Sequence, residues 1–102
     1  MDKYLIINAD DFGMCRSANL AVMDLLKSGS ITSSTIMAPC AWAYEACQFA
    51  KNNPQFAIGV HLTFTSEWAT YRWAPVGASN TDSLRDELGF ICLLYTSPSP
   101  RD

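Results

Sequence analysis

The chain has 102 residues, of which 49% are hydrophobic and 17% charged, and its formal net charge is −3. This length suits one small globular domain. The mild acidity argues against a nucleic acid partner, because there is no excess of basic residues to neutralise phosphates. No apolar run reaches the roughly 20 residues that cross a bilayer, and the N-terminus lacks the pattern of a signal peptide. We therefore expect a cytoplasmic protein without a membrane partner.

The first half of the chain predicts a strand followed by a helix. Residues 4–8 form a continuous apolar run, which is typical of a strand buried on both faces. Ser17 is a candidate N-cap for the helix, and Gly29 suits its C-terminal stop. The face of this helix that would enter the core carries Ala18, Ala21, Val22, Leu25 and Leu26.

Three further elements complete an alternating pattern. Residues 31–37 are rich in β-branched side chains and predict a second strand, which Pro39 ends. A second helical face carries Ala43, Ala46, Cys47 and Ala50, and residues 56–62 predict a third strand. Helices between strands imply parallel pairing with right-handed crossovers. The predicted fold class is therefore α/β, with a parallel βαβαβ unit.

Polar side chains follow two of the predicted strands. Asp10 and Asp11 come after the first strand, and His61 closes the third. Adjacent carboxylates repel each other, and a divalent cation favours the ionised form of both. Imidazole is the commonest metal-ligand side chain. Because the carboxyl ends of parallel strands share one edge of a sheet, the pattern predicts the site of a metal-dependent hydrolase.

Other interpretations of these residues are open at this point. Asp10 and Asp11 would also suit a cap for the helix that follows, and His61 alone would suit a core histidine bonded to a carbonyl. Asp11-Phe12-Gly13 spells the DFG of protein kinases, but only ten residues precede it, which leaves no room for the other kinase motifs.

Cysteines and aromatic residues suggest less specific roles. Cys15, Cys40, Cys47 and Cys92 follow no metal-binding spacing, and we expect reduced, mostly buried thiols. Residues 63–83 form a long loop, and its aromatic rings and arginine suit either the stacking of a sugar or packing onto neighbouring elements. The residues concerned are Trp68, Tyr71, Arg72 and Trp73.

Three motifs, in order along the chain, carry a resemblance to a known family. They are NADDFG at residues 8–13, TSSTIM at residues 32–37 and GVHLT at residues 59–63. With them, residues 3–90 resemble the YdjC-like carbohydrate deacetylases, which include chitooligosaccharide deacetylases. The resemblance implies the N-terminal portion of a (β/α)-barrel-like deacetylase fold. It also implies a small carbohydrate substrate and removal of the N-acetyl group from an amino sugar. Homo-oligomerisation is possible.

The resemblance also implies roles for individual residues. Asp11 would be a metal ligand, Asp10 the general base and His61 the first histidine ligand. The family's second histidine is expected downstream, whereas His61 is the only histidine here. Oxygen and imidazole ligands admit both magnesium and zinc, and the resemblance favours magnesium.

Two other functions remain as alternatives. The same edge of the sheet would serve another metal-assisted hydrolysis, such as that of a phosphoester. A sugar-binding module without catalysis would instead use the aromatic loop.

The end of the chain differs in character from the rest. The resemblance fades after Phe90, and we expect residues 92–102 to be a non-native or disordered tail, with residues 1–91 an N-terminal part of a barrel. A closed (β/α) barrel takes about 250 residues and eight strands, and unpaired sheet edges favour aggregation. We therefore expect the 102-residue chain to be poorly soluble and nearly inactive alone.

Overall fold

The computed structural model describes residues 1–77 and 80–93, which fall into two compact units, Met1–Leu62 and Thr63–Asp102. The first unit contains β1 (Asn8–Phe12), α1 (Arg16–Ser28), β2 (Ser33–Ile36), α2 (Ala43–Asn52) and β3 (Ala57–Val60). The strands lie in the order β1-β2-β3, and both pairs are parallel. The predicted βαβαβ unit is thus confirmed.

The core of the first unit lies between the sheet and the two helices. Phe49 connects two other rings, because it packs edge-on to Phe12 at 5.9 Å and stacks on Phe56 at 5.7 Å between ring centroids. Full burial of one such side chain contributes about 2 to 3 kcal/mol. The buried cluster comprises Phe12, Val22, Leu26, Ile31, Ile36, Ala43, Ala46 and Phe49.

The first strand lies further along the chain than its hydrophobicity suggests. The prediction placed it at residues 4–8, buried on both faces, whereas β1 starts at Asn8 and includes both aspartates. Tyr4, Leu5 and Ile6 are exposed, Tyr4 by 89%. The reason is register: Asn8 pairs with Ser33, the first residue of β2, so the ladder starts there, and Ile7 just before it bonds to Thr32 and Ser33.

The other predicted elements exist with shorter bounds and some different inward faces. Cys15, not Ser17, occupies the N-cap of α1. Ala18 and Ala21 were predicted to face the core, but in this part of the helix Asn19 is the buried residue. In α2 the buried position is Phe49 rather than Cys47. A helical face about 100° wide leaves such shifts of one or two positions open. The stop at Gly29 is confirmed, with its φ of 77° in the left-handed region.

The four cysteines are thiols, as expected, but they are not mostly buried. Cys40 is buried, Cys15 and Cys92 are half-buried, and Cys47 is exposed. Among the described helices, none combines the length and apolar character needed to cross a membrane.

The second unit has little regular structure in its described part. It contains one 3-10 turn at Asp82–Leu84 and isolated bridges that join Ser66 to Leu93 and Arg85 to Ile91. The expectation for residues 92–102 falls mostly outside the described residues, so the domain boundaries stay a prediction. Cys92 itself accepts a hydrogen bond from the Ser66 N–H at 3.0 Å.

The turn after β1 generates a prediction about stability. Gly13 has a φ of 96°, and a Cβ there would lie 3.0 Å from the Cα of Ala43. Gly13→Ala should therefore lower the free energy of unfolding by about 2 to 4 kcal/mol, from strain and steric conflict together. Gly29→Ala is the control, because its φ is also positive but its surroundings are open. It should cost about 1 kcal/mol. Equal losses in urea denaturation would contradict this account.

Candidate metal centre

A β-bulge places both aspartates on one face of the sheet. Ala9 pairs with Ser34 and Phe12 with Ile36, so Asp10 and Asp11 together oppose the single residue Thr35. The extra residue has a φ of 65° at Asp11. Side chains normally alternate between the two faces of a strand, which would separate neighbouring residues. The bulge removes this alternation for one step, while Phe12 still reaches the core.

The third strand brings His61 to the same face. Thr35 pairs with Gly59, and His61 follows Gly59 by two residues, so the three share a side of the sheet. The ladder continues past the strand end, because the His61 N–H donates to the Ile36 carbonyl at 2.9 Å. The Nε2 atom of His61 lies 3.4 Å from Oδ1 of Asp11. Residues 50 positions apart (61 − 11) thus meet at the carboxyl edge of the sheet, as predicted.

The hydrogen bond at Nδ1 of His61 shows how its other ring nitrogen, Nε2, faces Asp11. His61 Nδ1 lies 2.9 Å from the Leu62 carbonyl oxygen, which only accepts hydrogen bonds, so Nδ1 carries a proton. In a neutral ring, Nε2 then presents a lone pair to the Asp11 carboxylate, which is also an acceptor. Two acceptors this close are stabilised by a group that satisfies both, such as a cation, a proton or a donating water. An N–H to a backbone carbonyl is also how metal-binding histidines are usually oriented.

The separation of the two donor atoms fits a shared cation. Metal–ligand distances of about 2.1 Å place two ligands of one ion about 3.0 to 3.4 Å apart, for octahedral and tetrahedral angles respectively. The side chains of His61 and Asp11 are 24% and 43% exposed, so solvent or substrate also has access. Across residues 1–77 and 80–93, however, no cluster of three or more His, Cys, Asp and Glu side chains is placed to hold a metal. A cation held by this pair would therefore need further ligands.

Asp10 is held differently from its neighbour. Its Oδ1 accepts hydrogen bonds from Asn8 Nδ2 at 2.7 Å and Thr35 Oγ1 at 3.0 Å. Asn8 is held in turn, because its Oδ1 accepts from Ser33 Oγ at 2.8 Å. These bonds fix the orientation of the Asp10 carboxylate beside the Asp11–His61 pair rather than within it. That placement suits a group that handles a proton near a cation.

Two simpler interpretations of the aspartates and the histidine can now be judged. The carboxylates do not cap α1, since both lie within β1 and the N-cap is Cys15. The carbonyl bond expected of a structural histidine does exist at His61, but it involves only one ring nitrogen, and the other faces Asp11.

The aromatic loop, within the second unit, favours packing over sugar stacking for most of its rings. Trp73 is only 3% exposed, and Tyr71 lies edge-on to both Trp68 and Trp73 at 6.4 and 6.0 Å between centroids. Arg72 is likewise engaged, since it donates to Asp86 at 2.8 Å. Of these three rings, only that of Trp68, which is 42% exposed, is accessible enough to stack on a sugar.

Several residues of the site escaped the sequence argument. Asn8, Ser33 and Thr35 support Asp10, yet their positions in the strands carry no ligand spacing. The available signal was their polarity beside the apolar residues 4–7 and 36–37. Asn19 also interrupts an apolar helical face, and it is fully buried.

Cys15 has a lowered thiol pKa because the Ser17 hydroxyl, 3.3 Å from its sulfur, stabilises the thiolate.

The backbone at Asp11 leads to a prediction that separates conformation from charge. Alanine is strained in the left-handed region, whereas asparagine adopts it readily. Asp11→Ala should lower the free energy of unfolding by about 1 to 2 kcal/mol. Asp11→Asn, which also removes the charge, should change it by less than about 0.5 kcal/mol, because the contact with His61 is partly exposed. Equal destabilisation by both variants in denaturant titrations would contradict the strain at this residue.

Comparison with known proteins places the chain in a family. Chitooligosaccharide deacetylase of Yersinia enterocolitica is 32% identical over 105 residues, which cover 86% of this chain and 42% of that protein. Carbohydrate deacetylase of Geobacillus stearothermophilus is 37% identical over 65 residues, or 64% of this chain and 26% of that protein. The present chain thus spans less than half the length of these relatives.

The fold has a counterpart among solved structures. The crystal structure of an Enterococcus faecalis protein described as a cellobiose-phosphate cleavage protein matches with a TM-score of 0.71 and 30% identity. The match covers 89% of this chain and 34% of that one, which agrees with the predicted portion of a (β/α)-barrel-like deacetylase fold. The sequence model of YdjC-like proteins matches residues 4–99. The chain therefore belongs to the YdjC-like protein family.

Proposed function

We propose that this chain contributes to the metal-dependent removal of an N-acetyl group from an amino sugar or an N-acetylated oligosaccharide. The observation that carries the proposal is the meeting of Asp11 and His61 at 3.4 Å, with Asp10 on the same face. The names of the relatives, chitooligosaccharide deacetylase and carbohydrate deacetylase, supply the substrate class. A cytoplasmic location stays a prediction.

Asp11 and His61 would hold the divalent cation. The carboxylate oxygen suits both magnesium and zinc, whereas the imidazole nitrogen is the more usual ligand of zinc. Magnesium stays our expectation from the family resemblance, and the partly exposed pair leaves room for water ligands. When bound, such a cation lowers the pKa of water and polarises an amide carbonyl, which otherwise react slowly with each other. The Leu62 carbonyl keeps the His61 ring oriented toward Asp11.

Asp10 would act as the general base. Both of its hydrogen bonds within the described chain go to Oδ1, from Asn8 and Thr35. This arrangement directs Oδ2 to the remaining task, which is to accept the proton of the attacking water. A base held by two donors loses little orientation during the reaction, and that preorganisation is the contribution of this chain.

The open face of the sheet suits a carbohydrate. Asn8, Ser33 and Thr35 place an amide and two hydroxyls beside the candidate site, and each of these groups exchanges hydrogen bonds of the kind that sugar hydroxyls make. In the described part of the first unit the two helices pack on the other face, where Phe12 and Ile36 are buried. A small carbohydrate therefore approaches from the polar side.

A second candidate reaction has one specific observation in its favour. The solved relative from Enterococcus faecalis is described as a cellobiose-phosphate cleavage protein. The same pair of ligands would also serve the metal-assisted hydrolysis of a phosphorylated saccharide. Release of phosphate instead of acetate from a substrate carrying both groups would favour this alternative.

Cation binding by the 102-residue chain provides the first test. Titration with Mg²⁺, Zn²⁺ and Co²⁺ in a calorimeter should detect one site, and Asp11→Asn should weaken binding at least tenfold because a charged ligand is lost. His61→Gln should do the same. Asp10→Asn is the matched control, and we expect it to change the affinity less than threefold. Unaltered binding in Asp11→Asn would contradict the proposed ligands.

Activity provides the second test. Residues 1–93 of this chain would replace the aligned segment of the Yersinia enterocolitica relative, and acetate release from N-acetylated chitooligosaccharides would be measured. We expect activity in the chimera and a loss of at least 100-fold in kcat with Asp10→Asn, because the proton acceptor is gone. A folded, cation-binding chimera in which Asp10→Asn keeps full activity would overturn the assignment of the base.

A further inference from the structure

We propose that Asn19 is a positioning residue that holds the Asp11 carboxylate in place through the backbone between them. The inference rests on the proposed role of Asp11 as a cation ligand. Asn19 lies in α1 and its side chain is fully buried, with 0% exposure. Burial of an amide without hydrogen bonds is costly, so a polar side chain at this position needs a specific set of partners.

The partners of Asn19 come from the turns that follow β1 and β2 and from the first turn of α2. Its Oδ1 accepts from the Gly13 N–H at 2.6 Å, and its Nδ2 donates to the Trp42 carbonyl at 3.1 Å and to Glu45 Oε1 at 3.2 Å. A backbone N–H only donates and a carbonyl only accepts, so these contacts define which end of the amide is oxygen. Both amide hydrogens and one oxygen lone pair are thereby used.

The Gly13 peptide is held from the opposite side as well. The Trp42 N–H donates to the Gly13 carbonyl at 3.0 Å, and the Met37 N–H donates to the Phe12 carbonyl at 2.8 Å. Asp11 precedes these two fixed residues and has a φ of 65°. Since its left-handed conformation is intrinsically unfavourable, the surrounding contacts must maintain it. Asn19 supplies the buried side-chain bond among them.

A second pair of residues orients Asn19 itself. Glu45 of α2 accepts from Asn19 with one carboxylate oxygen and forms an ion pair with Arg16 through the other. Arg16 and Asn19 are three positions apart on α1, hence on one face of the helix. The contacts thus link α1, α2 and the turn after β1.

The experiment must distinguish this role from a general contribution to the core. Asn19→Leu keeps the branched shape of the side chain, with bulkier methyl ends, and removes all three hydrogen bonds. Val22→Ala is the matched control, because Val22 is also buried on α1 and belongs to the hydrophobic cluster. A milder variant, Glu45→Ala, removes the acceptor that orients Asn19 and leaves the buried hydrophobic cluster unchanged.

Two measurements on the 102-residue chain provide the test. Calorimetric affinity for Co²⁺ should fall about tenfold in Asn19→Leu, fall by a smaller factor in Glu45→Ala, and change less than twofold in Val22→Ala. In the cation-free chain, the nuclear Overhauser effect between the His61 ring and the Asp11 β-protons should weaken in Asn19→Leu and persist in Val22→Ala.

The outcomes separate this inference from the proposed function. If the unaltered chain binds no Co²⁺, the cation-dependent function fails, and the Overhauser measurement alone decides the role of Asn19. A folded Asn19→Leu variant with an unchanged Overhauser effect, or with unchanged Co²⁺ affinity, would overturn the inference. Equal loss of affinity in Val22→Ala would also overturn it, because general destabilisation would then explain the result.

Discussion

The extra residue in β1 is the constraint on which the candidate site depends. Asp10 and Asp11 oppose the single Thr35. In a regular strand one of them would turn toward the helices, where Phe12 and Ile36 lie buried, and a carboxylate there would lose its hydration without a partner. The bulge keeps both charges on the open face and lets Phe12 return to the core. Its cost is the left-handed backbone at Asp11.

Much of the fold was predictable because helix and strand periodicities differ along the chain. The βαβαβ order, the stop at Gly29 and the parallel pairing all followed from that pattern. The position of β1 did not, because residues 4–8 are more hydrophobic than Asp10 and Asp11, whereas the ladder is set by the start of β2 at Ser33. Hydrophobicity indicates that a strand exists, and pairing decides which residues belong to it.

The site was predictable to the same extent. Asp11 and His61 meet because both lie at the carboxyl edge of a parallel sheet, a property of the topology that the sequence reveals. The supporting residues depend on register and on helix rotation, which the sequence leaves open. Thr35 reaches Asp10 only because of the bulge, and Asn19 reaches Gly13 only because α1 turns that position inward.

The two neighbouring aspartates are restrained by different means, and this difference argues for different tasks. Side-chain hydrogen bonds from Asn8 and Thr35 hold Asp10. The backbone holds Asp11, whose carboxylate faces a ring nitrogen rather than a hydroxyl or amide donor. A carboxylate that already accepts two hydrogen bonds has less capacity left for a metal. Asp11 keeps that capacity, and a cation would satisfy both its carboxylate and the ring nitrogen opposite. The proposed division into ligand and base therefore rests on how one extra residue distributes hydrogen-bond donors between two identical side chains.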